Sequence, residues 1–518
     1  IGNGMVGYKF CEKLVAKQLS QHKIVVFGEE IRPAYDRVHL SEFFAGKSAN
    51  DLLMATADWY VEHDITLHLS DPVIYIDRIN KTVKSHHGII ESYDVLVLAT
   101  GSAAFVPPIP GVEKKGVFIY RTIEDLELMT AYAKHSKTGA VIGGGLLGLE
   151  AAKAMLDLGI SNTQVIEFAP RLMPRQIDDA GSKILQNKLE SLGLTIHTNK
   201  NTSSILGDDC ITGMQFTDDT KIEVDMLVIS AGIKPRDELA KQSGLEVGPR
   251  GGIIVNEQLQ TSDENIYAIG ECALYNNMIY GLVAPGYEMA EVVATNIYNR
   301  VHNNPPSGDK GFTGFDMSTK LKLIGVDVAS FGNPFVSPNE GRAIVLEDTH
   351  KGIYKRINIS NDGKELLGGI LIGDAEAYNM LLQTCKNKVV LPPNPEDIIL
   401  GSRGGSEAAE GAGVASLPDD ALICSCEAIT KGMICSSVTD SACETVDAIK
   451  KCTKAGTGCG GCVPMIKDLM VHTMKTQGKY VRNVLCEHFD YSRQELLDLI
   501  KVKELKTYDE VLNELGKG

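Results

Sequence analysis

The run Gly143-Gly144-Gly145-Leu146-Leu147-Gly148 decides the fold of this chain. It follows the short apolar segment Ala140 to Ile142 and leads into a helical pattern from Leu149 to Leu158. A second apolar segment begins at Gln164 and ends in an acidic residue, Glu167. Strand, glycine turn, helix and acid-tipped strand are typical of a dinucleotide-binding βαβ unit, because glycines let a pyrophosphate approach the helix N-terminus.

The acid that ends the second strand predicts which nucleotide this unit binds. Glu167 would accept hydrogen bonds from both hydroxyls of an adenine ribose and would repel a 2′-phosphate, so NADH is favoured over NADPH. Arg171, four residues later, would weaken this preference if it faced a 2′-phosphate. We favour the alternative, a solvated arginine that contacts no ligand. The expected contacts of this unit are Gly143, Gly145, Gly148 and Glu167.

The same motif occurs at the very start of the sequence. Ile1-Gly2-Asn3-Gly4-Met5-Val6-Gly7 precedes a helix-like segment from Tyr8 to Leu19 and a strand from Lys23 to Gly28, which ends in Glu29-Glu30. The motif requires a preceding strand, so we expect the natural chain to begin several residues upstream. A second copy predicts a second nucleotide, with contacts from Gly2, Gly4, Gly7 and Glu29.

Each copy is followed by another apolar run that ends in small residues. These runs are Tyr93 to Ser102 and Val224 to Gly232. Small residues at a strand end indicate that the backbone passes close to a ligand. The contacts expected here are Ala99, Thr100, Gly101 and Gly232.

Four cysteines near the end of the chain predict a metal centre. Cys424-Ser425-Cys426 is a CxC pair and Cys459-Gly460-Gly461-Cys462 is a CxxC pair. Two irons bridged by sulfide need two thiolates each, which these pairs supply. Zinc is the competing occupant, but zinc ribbons normally use two CxxC knuckles, so the CxC pair favours a [2Fe-2S] cluster. Four unrelated buried thiols are the remaining alternative.

The other cysteines have no second ligand spacing, and we interpret them as chemically inert: Cys11, Cys210, Cys272, Cys385, Cys435, Cys443, Cys452 and Cys486. Twelve cysteines in 518 residues are too dilute for a secreted disulfide protein, so a reducing cytoplasm is expected. The net charge of −16 argues against a nucleic-acid partner. The sequence has no run of about 18 apolar residues, so no membrane span is predicted.

The paired glycine turns resemble the flavoprotein disulfide reductase superfamily, in which FAD occupies the first fold and NAD(P)H the second. The resemblance implies a second FAD signature from Thr261 to Glu271, with Glu271 against the ribityl chain. It also implies that the segment Leu282 to Gly286, including Pro285, approaches the isoalloxazine before a helix from about Tyr287. Arg37 is the further expected FAD contact, by similarity to rubredoxin-reductase-like members.

Three further side chains near the expected flavin are candidates for a chemical role. Glu150, two residues after the second glycine turn, contacts the nicotinamide end in similar reductases, although a Glu in the first helical turn is also stabilised by the helix dipole alone. We favour the cofactor role and treat Glu150 as the catalytic candidate. His39 is interpreted as a packing or backbone-bonded residue. The first helix carries only Cys11, so no redox disulfide faces the flavin.

The region after 303–308 resembles the small C-terminal domain of rubredoxin-reductase-type enzymes. The expected strands are Leu321 to Val328, Ala343 to Leu346, Gly352 to Ile359 and Leu366 to Ile372, followed by a helix near Ala375 to Thr384. The CxC and CxxC region resembles the small helical [2Fe-2S] domain of bacterioferritin-associated ferredoxin.

The predicted architecture is therefore α/β, with two Rossmann-like domains, a small α+β domain and a small helical cluster domain. The expected domains are FAD-binding (1–114 and 240–302), NAD(H)-binding (115–239), small α+β (312–398), linker (399–416), cluster (417–476) and a helical extension (477–518).

Over its whole length the chain resembles the large subunit of NAD(P)H-dependent nitrite reductase. The resemblance implies that NADH reduces FAD, which passes single electrons to the cluster and then to sirohaem and a [4Fe-4S] cluster in C-terminal domains that this sequence lacks. Those domains, a small nitrite reductase subunit and a second copy are the expected partners. A stand-alone NADH:ferredoxin or rubredoxin reductase, or a non-enzymatic iron–sulfur module, are the alternatives.

Overall fold

The computed structural model describes residues 1–18, 22–302, 311–400, 417–424, 427, 429–457, 461–478, 488–489, 491, 493–503 and 505–516. The chain divides into two compact units, Ile1–Arg403 and Gly404–Gly518. The division falls within the predicted linker, 399–416, of which residues 401–416 lie outside the described part.

The first glycine turn leads into a helix beside two pairs of parallel strands. The elements in order are α1 (Met5–Ala16), β1 (Ile24–Phe27), α2 (Ala57–Glu62), β2 (Ile65–His68), β3 (Val73–Asp77), β4 (Thr82–Ser85), β5 (Ile90–Ser92), β6 (Leu96–Leu98) and β7 (Ser102–Ala104), with 3-10 helices at Leu40–Phe43 and Asn50–Leu52. Strand β1 pairs in parallel with β2. Gly2 donates to Phe27 O (2.8 Å) and Ile1 O accepts from Ala99 N (2.7 Å), so the turn connects β1 to β6.

The second glycine turn belongs to a five-stranded sheet. Its region contains β8 (Val117–Ile119), α3 (Ile123–Ala133), β9 (Thr138–Ile142), α4 (Leu146–Asp157), β10 (Asn162–Ile166), α5 (Asp179–Ser191), β11 (Leu194–His197), β12 (Thr202–Leu206), β13 (Gly213–Phe216), β14 (Lys221–Glu223), β15 (Met226–Ile229), β16 (Ile233–Pro235) and α6 (Glu238–Gln242). The strand order is β11-β10-β9-β15-β8, with every pairing parallel. The central strands β9, β10 and β15 are buried on both faces over most of their length, as a parallel sheet requires.

The chain then returns to the region of the first glycine turn. It adds β17 (Ile253–Ile254), β18 (Ile266–Ala268), a 3-10 helix at Gly270–Cys272, β19 (Ala273–Leu274) and α7 (Val283–Val301). Strand β18 pairs in parallel with β6, and α7 packs against α1, where a Cβ on Gly286 would lie 2.5 Å from the Val6 side chain. Residues from both sequence segments therefore share one hydrophobic core.

The predicted element boundaries need three corrections in this unit. Helices α1 and α4 begin at Met5 and Leu146, earlier than predicted, because the last glycine of each turn is already helical. Helix α7 begins at Val283, so Pro285 lies in its first turn, where a missing N–H costs nothing. The apolar run from Tyr93 is a strand only over Leu96–Leu98.

The third part of this unit is an antiparallel sheet with one helix on it. It contains β20 (Thr319–Leu323), β21 (Val326–Gly332), β22 (Gly341–Asp348), β23 (Ile353–Ser360), β24 (Leu366–Ile372), α8 (Tyr378–Lys386) and α9 (Asp397–Leu400), in sheet order β20-β21-β24-β23-β22. The predicted single strand from Leu321 to Val328 is wrong. Ile324 and Gly325 have positive φ angles of 49° and 85°, which reverse the chain between β20 and β21.

The small sheet packs on the second nucleotide region. Tyr354, Ile370 and Ile372 belong to the same core as Leu185 of α5. Asp178, which caps α5 through Gly181 N (3.0 Å), also accepts from Tyr354 Oη at 2.6 Å. A capping residue that is shared between two parts of the unit fixes how they sit together.

The second unit is a small helical domain with one short hairpin. It contains β25 (Leu422–Cys424), β26 (Ile429–Thr430), α10 (Lys431–Thr439), α11 (Val446–Thr453), α12 (Val463–Thr476), α13 (Arg493–Val502) and α14 (Tyr508–Leu515). Buried Ile434, Ile449 and Ile466 place one apolar side chain of each of α10, α11 and α12 in the interior. None of the helices described in either unit has the length and apolar character that crossing a bilayer requires.

Candidate functional site

The two glycine turns have the same backbone geometry. Gly4 and Gly145 are the N-caps of α1 and α4, with φ/ψ angles of −84°/−169° and −85°/−172°. Neither helix has a side-chain cap, and neither has an acid in its first turn. Both N-termini therefore keep backbone N–H groups and a positive dipole end for an anion, which is what a pyrophosphate needs.

The second turn is crowded at three glycines: a Cβ on Gly144 would lie 2.6 Å from the Leu172 side chain, and Cβ atoms on the two others would meet carbonyl oxygens. A Cβ on Gly143 would collide with the carbonyl oxygen of Ser230, and one on Gly148 would collide with that of Gly143. By contrast, a Cβ on Gly145 or Gly232 would meet open space. The crowded glycines let the turn pack tightly against the neighbouring strands. The open glycines leave space in which a pyrophosphate can approach the turn.

The first turn repeats this arrangement residue by residue. A Cβ on Gly2 would collide with the carbonyl oxygen of Ala99, and one on Gly7 with that of Gly2, whereas Gly4 and Gly101 face open space. The expected FAD contacts from the glycine turn and from β6 are thus brought together at one point. These contacts require glycine at positions 2 and 7, where any Cβ would meet a carbonyl oxygen.

An unsatisfied donor in the first turn supports a ligand there. Asn3, the middle residue of the turn, accepts from Tyr60 Oη through its Oδ1 (2.9 Å). Its Nδ2 is buried without a hydrogen-bond partner. Buried amide groups are nearly always satisfied in proteins, so a ligand oxygen is the natural acceptor, and the site fits FAD. Sequence analysis missed Asn3, although its place between two glycines was a signal.

Glu271 is held by two other side chains. Its Oε2 accepts from Arg121 Nη2 (2.6 Å) and from Ser102 Oγ (2.6 Å). The carboxylate is partly buried, and the arginine offsets the free energy that burying it costs. Arg121 was not predicted; the only sequence signal was its position directly after the apolar segment that forms β8.

Arg37 lies in the same network, next to the first acid-tipped strand. Its guanidinium pairs with Glu30 and donates to the carbonyl oxygen of Arg121 at 2.9 Å. Tyr35 Oη also donates to Glu30 (2.6 Å). Arg37 therefore connects the segment after β1 with the one before α3, and its predicted FAD contact stays a prediction.

Glu29, the predicted ribose acceptor of the first unit, is exposed and pairs with Arg236. Thr100 Oγ1 donates to the carbonyl oxygen of the same arginine at 2.7 Å. Arg236, which sequence analysis missed, thus lies beside two predicted FAD contacts.

Glu167 is positioned by the backbone rather than by a cation. Its carboxylate accepts from Gly144 N (2.6 Å) and from Ala169 N (2.6 Å). It therefore lies against the second glycine turn, at the end of β10, as predicted. Arg171 is occupied elsewhere: it pairs with Asp179 (2.9 Å) and donates to the carbonyl oxygen of Ile177 (3.1 Å).

Glu150 is the fifth residue of α4, one turn deeper than predicted, and is partly buried. Burial raises the pKa of Glu150 from 4.5 to about 7, and the charge of nearby His39 opposes the shift. A carboxyl with a pKa near neutrality can exchange a proton under ordinary conditions. Its neighbour Tyr120 has a buried hydroxyl without a hydrogen-bond partner, and burial raises the pKa of Tyr120.

His39, predicted to pack or to hydrogen-bond to the backbone, instead pairs with a side chain, and its own side chain is 40% exposed. Its Nδ1 lies 2.7 Å from Asp36 Oδ2, and this hydrogen bond raises the pKa of His39. It lines a pocket of about 260 Å³ with Asp36, Glu42, Lys47 and Asp51. A carboxylate-bound imidazole faces a polar pocket here, which makes His39 a second titratable group beside Glu150.

Two of the four predicted cluster ligands lie in the described part of the second unit. Cys424 ends β25 and Cys462 is the N-cap of α12; both are buried, with 3% and 8% of their surface exposed. A helix N-terminus stabilises the thiolate that ligates iron. Cys426 and Cys459 lie outside the described residues. No group of three potential ligands converges in the part that is described.

Comparison with known sequences agrees with these geometries. The sequence model for pyridine nucleotide-disulphide oxidoreductases matches residues 1–303. The chain belongs to this family. The model for the rubredoxin NAD+ reductase C-terminal domain matches residues 318–389, and that for the BFD-like [2Fe-2S] binding domain matches residues 422–472. The predicted fold class and the assignment as an oxidoreductase are thereby confirmed.

Curated relatives of this oxidoreductase match it along its whole length. The nitrite reductase (NADH) large subunit of Escherichia coli strain K12 is 47% identical over all of this chain and 60% of its own length. The nitrite reductase [NAD(P)H] large subunit of Klebsiella oxytoca is also 47% identical, with 53% of its length covered. The assimilatory nitrate reductase electron transfer subunit of Bacillus subtilis strain 168 is 36% identical over 99% of this chain. The chain thus spans about half to two thirds of the length of these relatives.

Solved structures share the fold of this oxidoreductase at low identity. The ferredoxin reductase of Rhodopseudomonas palustris aligns with a TM-score of 0.69 and 23% identity, over 80% of this chain and 98% of its own. The NADH:rubredoxin oxidoreductase of Clostridium acetobutylicum aligns with a TM-score of 0.61 and 24% identity, over 77% of this chain and 97% of its own. These alignments establish the fold alone.

Proposed function

We propose that this chain is the NADH-oxidising, electron-transferring part of an assimilatory-type nitrite reductase. The observation that carries the proposal is the combination in one chain of two equivalent glycine turns and a [2Fe-2S] binding domain, in the order found in nitrite reductase large subunits. When bound, FAD accepts a hydride from NADH and releases its electrons singly to the cluster, which carries one at a time. The residues of the chain bind, orient and tune these groups.

The first unit supplies both nucleotide sites. On the FAD side, Gly4 and Asn3 face the pyrophosphate, and Glu271 faces the ribityl chain with Arg121 holding it in place. These donors and acceptors are preformed, so binding needs little rearrangement. We also assign the predicted contacts of Arg37, Glu29 and Pro285 to this site.

The NADH site is assigned to the second turn. Glu167 faces the adenine ribose, and its two backbone hydrogen bonds fix the carboxylate, so that a 2′-phosphate would meet a negative charge. Glu150 lies further along α4 with a pKa of about 7, and we assign it to the nicotinamide end, where it can hold or release a proton.

The [2Fe-2S] cluster is assigned to Cys424, Cys426, Cys459 and Cys462. Cys424 and Cys462 support it by their burial and by the helix N-terminus at Cys462. We assign the nitrite-reducing step to sirohaem and [4Fe-4S] domains, which we place in the part of the longer relatives that this chain does not cover. A small subunit, a second copy of the chain and a cytoplasmic location complete the proposal.

A second candidate is favoured by the similarity to the Bacillus subtilis electron transfer subunit. In that case the same path would deliver electrons to a nitrate reductase. A carrier reductase of the rubredoxin kind shares the flavin part but needs no built-in cluster. The non-enzymatic alternative requires the nucleotide sites to stay empty.

A visible spectrum of the purified, oxygen-free chain tests the proposal. It should contain flavin bands and a broad thiolate-to-iron envelope, and NADH should bleach both. The chain alone should then reduce a dye but not nitrite, whereas a chain extended to the relatives' full length should consume nitrite. A flavin spectrum without iron would favour the carrier reductase, and a colourless protein would exclude all electron-transfer assignments.

A further inference from the structure

Two cysteines outside the predicted cluster lie side by side in the second unit. Cys443 Sγ is 3.0 Å from Cys452 Sγ. Cys443 precedes the N-cap of α11, Thr445, by two residues, and Cys452 lies in the last turn of that helix. Their sequence separation gave no ligand spacing, so we predicted both to be inert. The sulfur–sulfur distance instead makes the two thiols candidates for chemistry with each other.

The pair is arranged for thiol–disulfide exchange. A disulfide bond is about 2.05 Å long, so the two sulfurs need to approach by only about 1 Å. Cys452 is exposed and Cys443 is buried. An exposed thiol can attack a dissolved disulfide, and a buried neighbour is protected from solution but can resolve the mixed disulfide. No third metal ligand joins them among the described residues.

Helix α11 separates the two cysteines and has defined ends. Thr445 caps the helix through Ala448 N (3.1 Å). Ala442, directly before Cys443, has a φ of 52°, and Lys454, directly after the helix, has a φ of 63°. Left-handed residues other than glycine are uncommon. Both residues lie just outside the stretch from Cys443 to Cys452, so the distance between the sulfurs is set by the residues between them, with the capped helix α11.

We propose that Cys443 and Cys452 form a reversible disulfide by exchange with a low-molecular-weight disulfide of the glutathione class. The Cys452 thiolate attacks the small disulfide and displaces one small thiolate. The Cys443 thiolate then attacks Cys452 Sγ and displaces the second. Two protein thiols are oxidised, one small disulfide is reduced to two small thiols, and the two protein thiol protons end on those products. An excess of small thiol reverses both steps.

The disulfide would clamp α11. This helix leads through Lys454 and the fully buried Ala455 into the arm that carries Cys459 and Cys462. A cross-link between the start and the end of α11 reduces the conformational freedom of this helix when the domain unfolds. We therefore expect oxidation to stabilise the domain that holds the cluster cysteines, whatever acceptor the cluster serves.

Peptide mapping of the full chain tests the bond. The protein is prepared without oxygen, equilibrated in buffers of varied oxidised to reduced glutathione ratio, and alkylated under denaturing conditions before tryptic cleavage. We expect a cross-linked pair of peptides, one with Cys443 and one with Cys452, lighter by about two hydrogens than the dithiol pair. The species should disappear in excess reduced glutathione. Alkylation of both residues at every ratio, or a stable glutathione adduct on Cys452, would overturn the proposal.

Matched variants identify the partner sulfur. Cys435 falls in the same tryptic peptide as Cys443, because no Lys or Arg separates them. Cys435→Ser should leave the cross-link intact, whereas Cys443→Ser should abolish it and leave a glutathione adduct on Cys452. Loss of the cross-link in Cys435→Ser with retention in Cys443→Ser would overturn the assignment.

The expected stabilisation of the cluster domain by the disulfide is measured separately. Bleaching of the iron absorbance by a chelator is followed in the oxidised and reduced chain. We expect the half-life to be at least about twofold longer in the oxidised form. In Cys452→Ser the two half-lives should be equal. Equal half-lives in the parent chain, despite a complete cross-link, would overturn the clamp.

Discussion

Arg121 Nη2 donates to Glu271 Oε2 over 2.6 Å, and it also donates to Ser102 Oγ over 2.7 Å. The relationship joins residues from three separate segments of the chain at the place where the ribityl chain of FAD is expected. The carboxylate and the guanidinium are each about one-fifth exposed. Removal of one partner leaves a partly buried charge without its counterion.

The first prediction concerns this pair. Arg121→Ala should lower the FAD content of the purified protein and destabilise the first unit by about 1–3 kcal/mol, because Glu271 loses its cation. The flavin-to-protein absorbance ratio and the melting temperature measure the two effects.

Lys23→Ala is the matched control for Arg121→Ala. Lys23 pairs with Glu91 at 2.8 Å, but the lysine is 66% exposed. An exposed pair contributes about 0–1 kcal/mol, so flavin content should not change. Equal flavin loss in both variants would contradict the role of Arg121.

The second prediction concerns nucleotide choice. Glu167→Ala should raise KM for NADH about tenfold and reduce the preference over NADPH, since the ribose loses its acceptor and the 2′-phosphate loses its repulsion. Steady-state dye reduction with both nucleotides measures this. Arg171→Ala is the control, because its guanidinium pairs with Asp179. An unchanged NADH/NADPH ratio in Glu167→Ala would argue against the assignment.

The glycine turns could be predicted from sequence because the backbone contacts that require glycine occur in every unit of this kind. Close backbone approach requires Gly at 2, 7, 143 and 148, and the structure places a carbonyl oxygen against each of them. Glu167 could be predicted for a similar reason, because the acid that ends the second strand follows the glycine turn at a characteristic distance in sequence. These features depend on neighbours only a few residues away or on a sheet that every such unit has.

Long-range partners could not be predicted in the same way. Arg121 meets a carboxylate 150 residues away, and no periodicity in the sequence reports such a pairing. The run from Leu321 to Val328 alternates like one strand, and only the backbone conformation of Ile324 and Gly325 reveals a hairpin. The 3.0 Å approach of Cys443 and Cys452 is a feature of the folded chain, and no ligand-like spacing in the sequence signals it.

The third prediction is a pH dependence at Glu150. Its folded pKa of about 7 lies above the ordinary value of 4.5. The favourable contribution of the protonated group is therefore complete below pH 4.5 and is lost as pH rises through about 7. Between pH 4.5 and about 7, the melting temperature of the parent chain should fall relative to that of Glu150→Gln. Above this range the difference between the two melting temperatures should stay constant.

Glu113→Gln serves as the control for the pH series, because the Glu113 side chain is 75% exposed. Its melting temperature should follow that of the parent chain at every pH. A parent and a Glu150→Gln variant that also stay parallel throughout would show that Glu150 titrates normally.

The fourth prediction separates the cluster from the flavin. Cys462→Ser, like Cys459→Ser, should abolish the iron chromophore and leave NADH-driven reduction of the flavin intact, since the ligands lie in the second unit and the nucleotide sites in the first. Iron analysis and anaerobic NADH titration measure the two properties. Cys435→Ser should retain both. Loss of flavin reduction in Cys462→Ser would mean that the order of electron transfer is wrong.

Anaerobic stopped-flow spectroscopy of the purified chain with excess NADH tests the central claim most directly. Electrons that enter as a pair at the flavin and leave singly through the cluster should bleach the flavin bands first and the iron envelope in a later phase. An iron envelope that stays oxidised while the flavin is fully reduced, at every protein concentration, would contradict the account.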